Sequence, residues 1–547
     1  MTKIKWIGTV VLVLFVLLAV GGPMVARFGP IAFDGERLSA PSTVHWLGTN
    51  SLGQDIFSQW AYGARNTLLI GLLVSLLSTG LSGMLGLAAG YSKRLDPVIN
   101  GIANVLLVIP SLLLMLLVAA FTGGGAIQLV LTLGLLSWPG YMRLIRASVL
   151  SLKEREFVKA AQLFQAKPVY ILRKHLLPFI GPLLRTKFIM SFRQAVTMEA
   201  GLSFLGLGDP NQATWGKMLE QAFQQNETWM TSVWQWTVLP PALSLLLVTV
   251  GLALLGESAR SGAEAGGFVG SEQPSGRFNR KAAKPAQAET EYSPDAPVAA
   301  IGLSVAYGER NVLQPATFTA ADGSVTAVLG ESGSGKTTLA RALYGLLPRS
   351  TVQGEAFIGR KRIYGGANRM RRWHDAAFIF QDPRQSFNPL LTIDQQFREA
   401  MQGRNRASAS AAVKRKEATQ ALREVQLEER VLDCYPHQLS GGMLSRVAIA
   451  MSLVNKPSVL IADEPTGALD PIVKREILEL LAAKVREHRM TLFLITHDIR
   501  SALHVADAIM VLKEGQLVEH APREKWLDSP KAPYSRELQG SLRQINR

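Results

Sequence analysis

Residues 97–142 run for 46 residues without a charged side chain, and 6–26, 66–92 and 228–256 are uncharged as well. Hydrocarbon offers no water to backbone N–H and C=O groups, so apolar runs of this length fold as helices that satisfy their own polar atoms. Each run meets the ~20 residues a spanning helix needs, and the longest holds two spans joined at Gly123-Gly124-Gly125. A sixth candidate, 183–207, is interrupted by Arg185, Lys187, Arg193 and Glu199. The expectation is an all-α domain of six transmembrane helices. Charges deep in a bilayer are expensive, so Arg193 and Glu199 either line a wet path or satisfy neighbouring helices and interfaces.

Charge placement supports this topology. Lys3 and Lys5, then Lys93 and Arg94, then the cluster from Arg143 to Lys174 all fall on one side of a six-span chain. By the positive-inside rule that side is cytosolic, and it also receives the chain after the last span. Lys5 and the run ending Ala19-Val20-Gly21 also have the form of a signal peptide, although the run is long for one. The net charge of +16 is therefore assigned to the membrane face, with no nucleic acid as partner. A single cysteine, Cys434, excludes an internal disulfide framework.

Residues 260–297, rich in Gly, Ala, Ser, Pro and Gln, read as a flexible linker. They separate an expected membrane domain, 1–259, from a soluble α/β domain, 298–547.

In the second half the apolar strand 325–329 leads into Gly330-Glu331-Ser332-Gly333-Ser334-Gly335-Lys336-Thr337 and then a helix starting at Thr338. Strand, glycine loop and helix form the context a true P-loop requires. Gly330, Ser332, Gly333, Gly335, Lys336, Thr337 and Thr338 are the candidate phosphate-binding residues of an ATP site. Loop N–H groups and the helix dipole hold the phosphates, Lys336 reaches the β- and γ-phosphates, and the Thr337 hydroxyl binds Mg²⁺. A second strand, 458–462, ends in Asp463-Glu464. Asp463 is placed to hold the Mg²⁺ shell and Glu464 to orient or deprotonate a water. A third strand, 491–495, delivers His497 toward the γ-phosphate. Catalysis is thus assigned to Glu464, His497 and Lys336.

With Leu439-Ser440-Gly441-Gly442-Met443 between the P-loop and Asp463, residues 298–528 resemble the nucleotide-binding domain of ABC transporters. The resemblance implies that Ser440 and Gly442 contact ATP held by a partner's P-loop and that Asp470 bridges the dimer. It also implies that Gln381 links Mg²⁺ to the membrane half and that Tyr307 stacks on adenine; for Tyr307, simple packing stands as an equal alternative.

The first half has its own resemblance. His45-Trp46-Leu47-Gly48-Thr49-Asn50 with Gly53-Gln54-Asp55, and Glu199-Ala200-Gly201-Leu202-Ser203-Phe204-Leu205-Gly206, are similar to motifs of C-type permeases in the dipeptide, oligopeptide and nickel importer family. Residues 157–178 sit where importers carry a cytosolic coupling loop, but Lys159 replaces the family's Glu and Gln165 its Gly, which puts the turn geometry in doubt. LSGGM and Ser386-Phe387-Asn388-Pro389 resemble the D-type ATPase. The implied protein is a C-type permease fused to a D-type ATPase in the bacterial inner membrane. Its implied partners are a B-type permease, an F-type ATPase and an extracytoplasmic solute-binding protein. Only 13 residues follow Tyr534, which tilts the expected cargo toward nickel or a metallophore complex over peptides. An exporter half-transporter and a regulatory ATPase that moves nothing are the competing readings; short connections between spans two to four argue against the exporter.

Overall fold

The computed structural model describes residues 3–122, 125–264, 296–308, 310–364, 370–401, 410–466 and 469–545. Gly123 and Gly124 of the expected turn, residues 265–295 of the expected linker, and Ala468 lie outside the described residues. The chain divides into two compact units: Met1–Lys153 with Leu172–Ser275, and Glu154–Ile171 with Gly276–Arg547.

The first unit is helical. Among the described residues, three stretches are long and apolar enough to cross a bilayer: Trp6–Val25 in helix α1 (Lys3–Val25), helix α2 (Ile56–Tyr91), and Trp234–Gly256, which runs into the helix Leu239–Glu264. The other expected spans differ from uninterrupted runs. Helices α3 (Asp96–Val108) and α4 (Ser111–Thr122) are split at Ile109-Pro110, where proline has no N–H to carry the ladder on. Helices α5 (Ala126–Leu136) and α6 (Pro139–Glu154) are split at Ser137-Trp138, again ahead of a proline. Helix α7 (Glu156–Leu163) and the single turn α8 (Pro168–Tyr170) follow, then helix α9 (Leu177–Phe204). The helix ending at Glu264 passes beyond Arg260, into the stretch expected as linker.

Helix α2 is the centre of this unit, packing on α1, α5 and α9. Small residues permit the approach: a Cβ added at Gly71 would lie 2.6 Å from the Phe192 ring of α9. Glu199 of α9 is fully buried and accepts from Ser203 Oγ at 2.8 Å and Thr67 Oγ1 at 3.1 Å. It therefore satisfies neighbouring groups and ties α9 to α2, whereas Arg193, on the same helix, is exposed.

The segment before α2 explains one permease motif structurally. Asp55 caps α2 by accepting from Ser58 N at 2.8 Å, and its other oxygen pairs with buried His45 Nδ1 at 3.0 Å. Replacing such a cap by Ala costs about 1 kcal/mol.

The second unit contains two sheets. Strands β1 (Val298–Tyr307), β2 (Arg310–Ala320), β4 (Val352–Ile358) and β5 (Lys361–Arg362) form an antiparallel sheet in the order β2-β1-β4-β5. The second sheet has the order β10-β9-β3-β8-β7-β6, built from β3 (Val325–Leu329), β6 (Ala376–Ile379), β7 (Val459–Asp463), β8 (Thr491–Ile495), β9 (Ala508–Lys513) and β10 (Gln516–Pro522). All its pairings are parallel except β9–β10. Every residue of β3, β7 and β8 is buried, as expected of strands covered on both faces. Their C-terminal ends carry the P-loop, the Asp463-Glu464 pair and His497.

Candidate active site

The P-loop begins where β3 ends. Gly330, Gly333 and Gly335 take φ of 154°, 84° and 96°, and a Cβ at Gly330 would run into the Leu512 carbonyl on the neighbouring strand β9. Glycine is required there by both conformation and space. The helix Lys336–Leu343 opens at Gly335, and Lys336 Nζ folds back onto the carbonyls of Gly330 and Glu331, each at 2.8 Å. Burial pushes the Lys336 pKa down, while Glu464, Asp463 and Glu331 oppose that shift.

Across the sheet, Thr337 Oγ1 donates to Asp463 Oδ1 at 3.1 Å, joining loop to strand over 126 residues of sequence. Burial raises the Asp463 pKa; the Thr337 hydrogen bond and nearby Arg341 act the other way. Thr337 and Asp463 are hard oxygen donors at the loop's edge, a set suited to Mg²⁺, which takes few protein ligands and completes its shell with water and phosphate. Such an ion neutralises phosphate charge when bound.

Glu464 gathers two more of the expected residues. Its φ is 47°, in the left-handed region where non-glycine residues are strained, and its N–H donates to Ile495 O at 2.9 Å. Its carboxylate accepts from Gln381 Nε2 at 3.3 Å and lies 3.2 Å from His497 Nδ1. Lys336, Thr337, Asp463, Glu464, Gln381 and His497 therefore form one site at the strand ends.

The other expected residues sit at helix starts and a strand end. Ser440 is the N-cap of the helix Gly441–Leu453, accepting from Met443 N at 3.3 Å, with Gly442 in the first turn. Asp470 caps the helix Pro471–Glu487 through Val473 N at 3.1 Å. Tyr307 ends β1 opposite Arg310 and is 46% exposed.

The segment read as a coupling loop supplies a second group of residues, whose individual contacts the sequence did not show. Glu154–Ile171 belongs to the second unit, where Ala160, Leu163 and Phe164 join the core of the α/β domain. The Phe164 ring meets Trp373 edge-on at 4.7 Å, Ser386 Oγ donates to Glu156 Oε2 at 2.9 Å, and Tyr170 OH donates to Glu399 Oε1 at 2.7 Å. Burial raises the Glu156 pKa, with Ser386 and Arg341 opposing and the charges of Asp382 and Asp463 adding to the rise. Arg341 thus acts electrostatically on both Glu156 and Asp463. Its position one helical turn after Thr337 was the available signal; the pairing of Glu156 with Ser386, 230 residues apart, had none.

Residues 313–467 match the family described as ABC transporter, and residues 82–259 match the binding-protein-dependent transport system inner membrane component. The chain joins an ABC transporter permease domain to an ABC ATPase domain. It is 38% identical over 242 residues to the glutathione import ATP-binding protein GsiA of Shigella dysenteriae serotype 1, a match covering 42% of this chain and 38% of that protein. The GsiA protein of Escherichia coli matches with the same identity and coverage. The chain therefore spans well under half the length of these relatives. Among solved structures, cbiO1 from Clostridium perfringens, part of the ABC transporter complex cbiONQ, shares 30% identity, covering 46% of this chain and 97% of that one with a TM-score of 0.39. The P-loop, the LSGG-to-β7 region, Asp463 and Glu464 fall inside the matched ABC transporter segment, and His497 falls beyond it.

Proposed function

We propose that this chain is a subunit of an ATP-driven importer, in which hydrolysis at the Lys336–Asp463–Glu464 site is coupled to uptake of a small, peptide-type solute across a bacterial cytoplasmic membrane. The observation that carries the reading is the seating of α7 in the core of the ATPase unit, with Glu156 bonded to Ser386 at 2.9 Å. Ser386 follows the Asp382-Pro383 turn that begins directly after Gln381, and Gln381 touches Glu464. A rearrangement at the hydrolytic carboxylate therefore reaches a permease-derived helix through a few residues. The glutathione import proteins support a peptide-type cargo over nickel.

Ser440 and Asp470 are exposed N-caps of two helices and Gly442 lies in the first turn of one of them, positions open to contact with a second ATPase domain. The complete assembly then contains a B-type permease, an F-type ATPase and an extracytoplasmic binding protein, with this chain's ATPase domain in the cytosol. Glu464→Gln removes the proposed base and keeps the phosphate-binding loop. In the complex reconstituted in liposomes, turnover is expected to fall by about 10²-fold or more with ATP binding retained. Uptake should fall in parallel, and undiminished uptake by this variant would reject the reading.

A further inference from the structure

Helix α9 carries its two central charges on different faces. Glu199 is buried and satisfied by Thr67 and Ser203, while Arg193 is exposed and has no side-chain partner among the described residues. Arg193 lies 16 residues into a helix of 28, about 24 Å along an axis of about 42 Å, so its guanidinium is far from either end. Helix α9 packs along α2 and the helix Leu239–Glu264, both part of stretches apolar enough to cross a bilayer, so a charge midway along it does not face lipid; it faces protein or a water-filled route. Gln194 beside it and Thr197 one turn on are exposed as well, extending a polar strip along one side of the helix. Ser191 adds a second, independent sign. Its hydroxyl is buried without a partner and lines a small cavity together with Gln194, Ser137 and Met198. A buried hydroxyl left unpaired next to exposed polar groups marks a place where a water completes the hydrogen bonding.

We propose that the Arg193–Gln194–Thr197 face of α9, with Ser191 beside it, lines the solute route and favours a solute bearing a carboxylate. The guanidinium fork matches a carboxylate in a bidentate pair, and the amide and hydroxyls supply neutral contacts for the remainder of the solute. The same charge repels a bare divalent metal ion. Peptides and metal chelates with carboxylate arms fit this face, and uncomplexed nickel does not. The proposal deepens the import reading and rests on it.

The test uses the full assembled complex in membrane vesicles, in a Cys434→Ser background that removes the native thiol. Arg193→Cys is compared with Val196→Cys, a buried position on the same helix, for reaction with water-soluble methanethiosulfonates. The Arg193→Cys thiol is expected to react more than tenfold faster. In parallel, Arg193→Gln is expected to lower uptake of glutathione at least tenfold and of its carboxyl-methylated diester less than twofold, with Arg193→Lys retaining most uptake of the free acid. A thiol at 193 as slow as that at 196, or equal loss of both probes, overturns the proposal. So does failure of the Arg193→Gln complex to assemble, which would make Arg193 an ion-pair partner in a subunit interface. Vesicles of the unsubstituted complex that take up neither probe while the 193 thiol reacts fast overturn the peptide-import reading and support the route.

Discussion

Gln165 shows how a departure at one residue is absorbed. It ends α7 with φ of 60°, Gln165 N donates to Gln162 O at 3.1 Å, and Ala166 N donates to Ala161 O at 3.2 Å. This is the Schellman pattern, in which the left-handed position is usually glycine. The turn doubted from the sequence is therefore made, with a side chain carried in a conformation that disfavours it. Gln165→Gly is expected to raise stability modestly, by up to about 1 kcal/mol, relief of strain being partly offset by glycine's greater unfolded-state entropy. Thermal unfolding of the purified protein checks this, and a drop in the midpoint would show that the Gln165 side chain contributes more than its backbone strain costs. Lys159, the other departure, pairs with Glu154 at 2.9 Å, largely in solvent. An exposed pair of this kind contributes little.

Among the elements, the split between α5 and α6 matters most, because a broken helix in a membrane domain leaves carbonyls without partners. One side chain supplies a donor where the backbone does not. Lys187, 2% exposed, donates from Nζ to Ser137 O at 2.9 Å and sits 4.8 Å from the centre of the Tyr141 ring, while Trp138 O accepts from Met142 N at 3.1 Å at the start of α6. Lys187 was read as an interruption of a span, and in the fold it repairs a break in another one. Lys187→Met keeps the length and apolar stem but removes the donor, and should destabilise the permease unit by about 1–3 kcal/mol, the cost of an unsatisfied buried carbonyl. The midpoint for thermal unfolding of the detergent-solubilised protein measures it; an unchanged midpoint would mean that the break needs no donor. The prolines at 110 and 139 were readable as helix breakers, yet an apolar run looks the same to a composition window whether its helix is whole or split.

At the scale of the molecule, Glu154–Ile171 lies in the first half of the sequence and folds with the second. Phe164 is 6% exposed within the ATPase core cluster and stacks edge-on with Trp373. Phe164→Ala removes a buried ring, worth about 3–5 kcal/mol in a well-packed core. The loss falls on the docking of α7, so basal ATPase of the reconstituted complex should persist while stimulation by a loaded binding protein and uptake are largely lost. Full stimulation in this variant would show that coupling does not pass through the Phe164 contact.

The P-loop, the Asp463-Glu464 pair and the apolar character of the first half were determined by the sequence alone, because each is a contiguous pattern whose chemistry depends on near neighbours: glycines before a helix, carboxylates at a strand end, runs without charge. Contacts between distant segments were decided only by the tertiary structure. Gln381 meets Glu464 across 83 residues and Ser386 meets Glu156 across 230, distances at which no local pattern pairs residues. Arg193 and Glu199 are the sharpest instance. They entered as equivalent charges in one apolar stretch, but six residues turn a helix by about 600°, so they emerge on different faces, one enclosed by hydroxyls and one open.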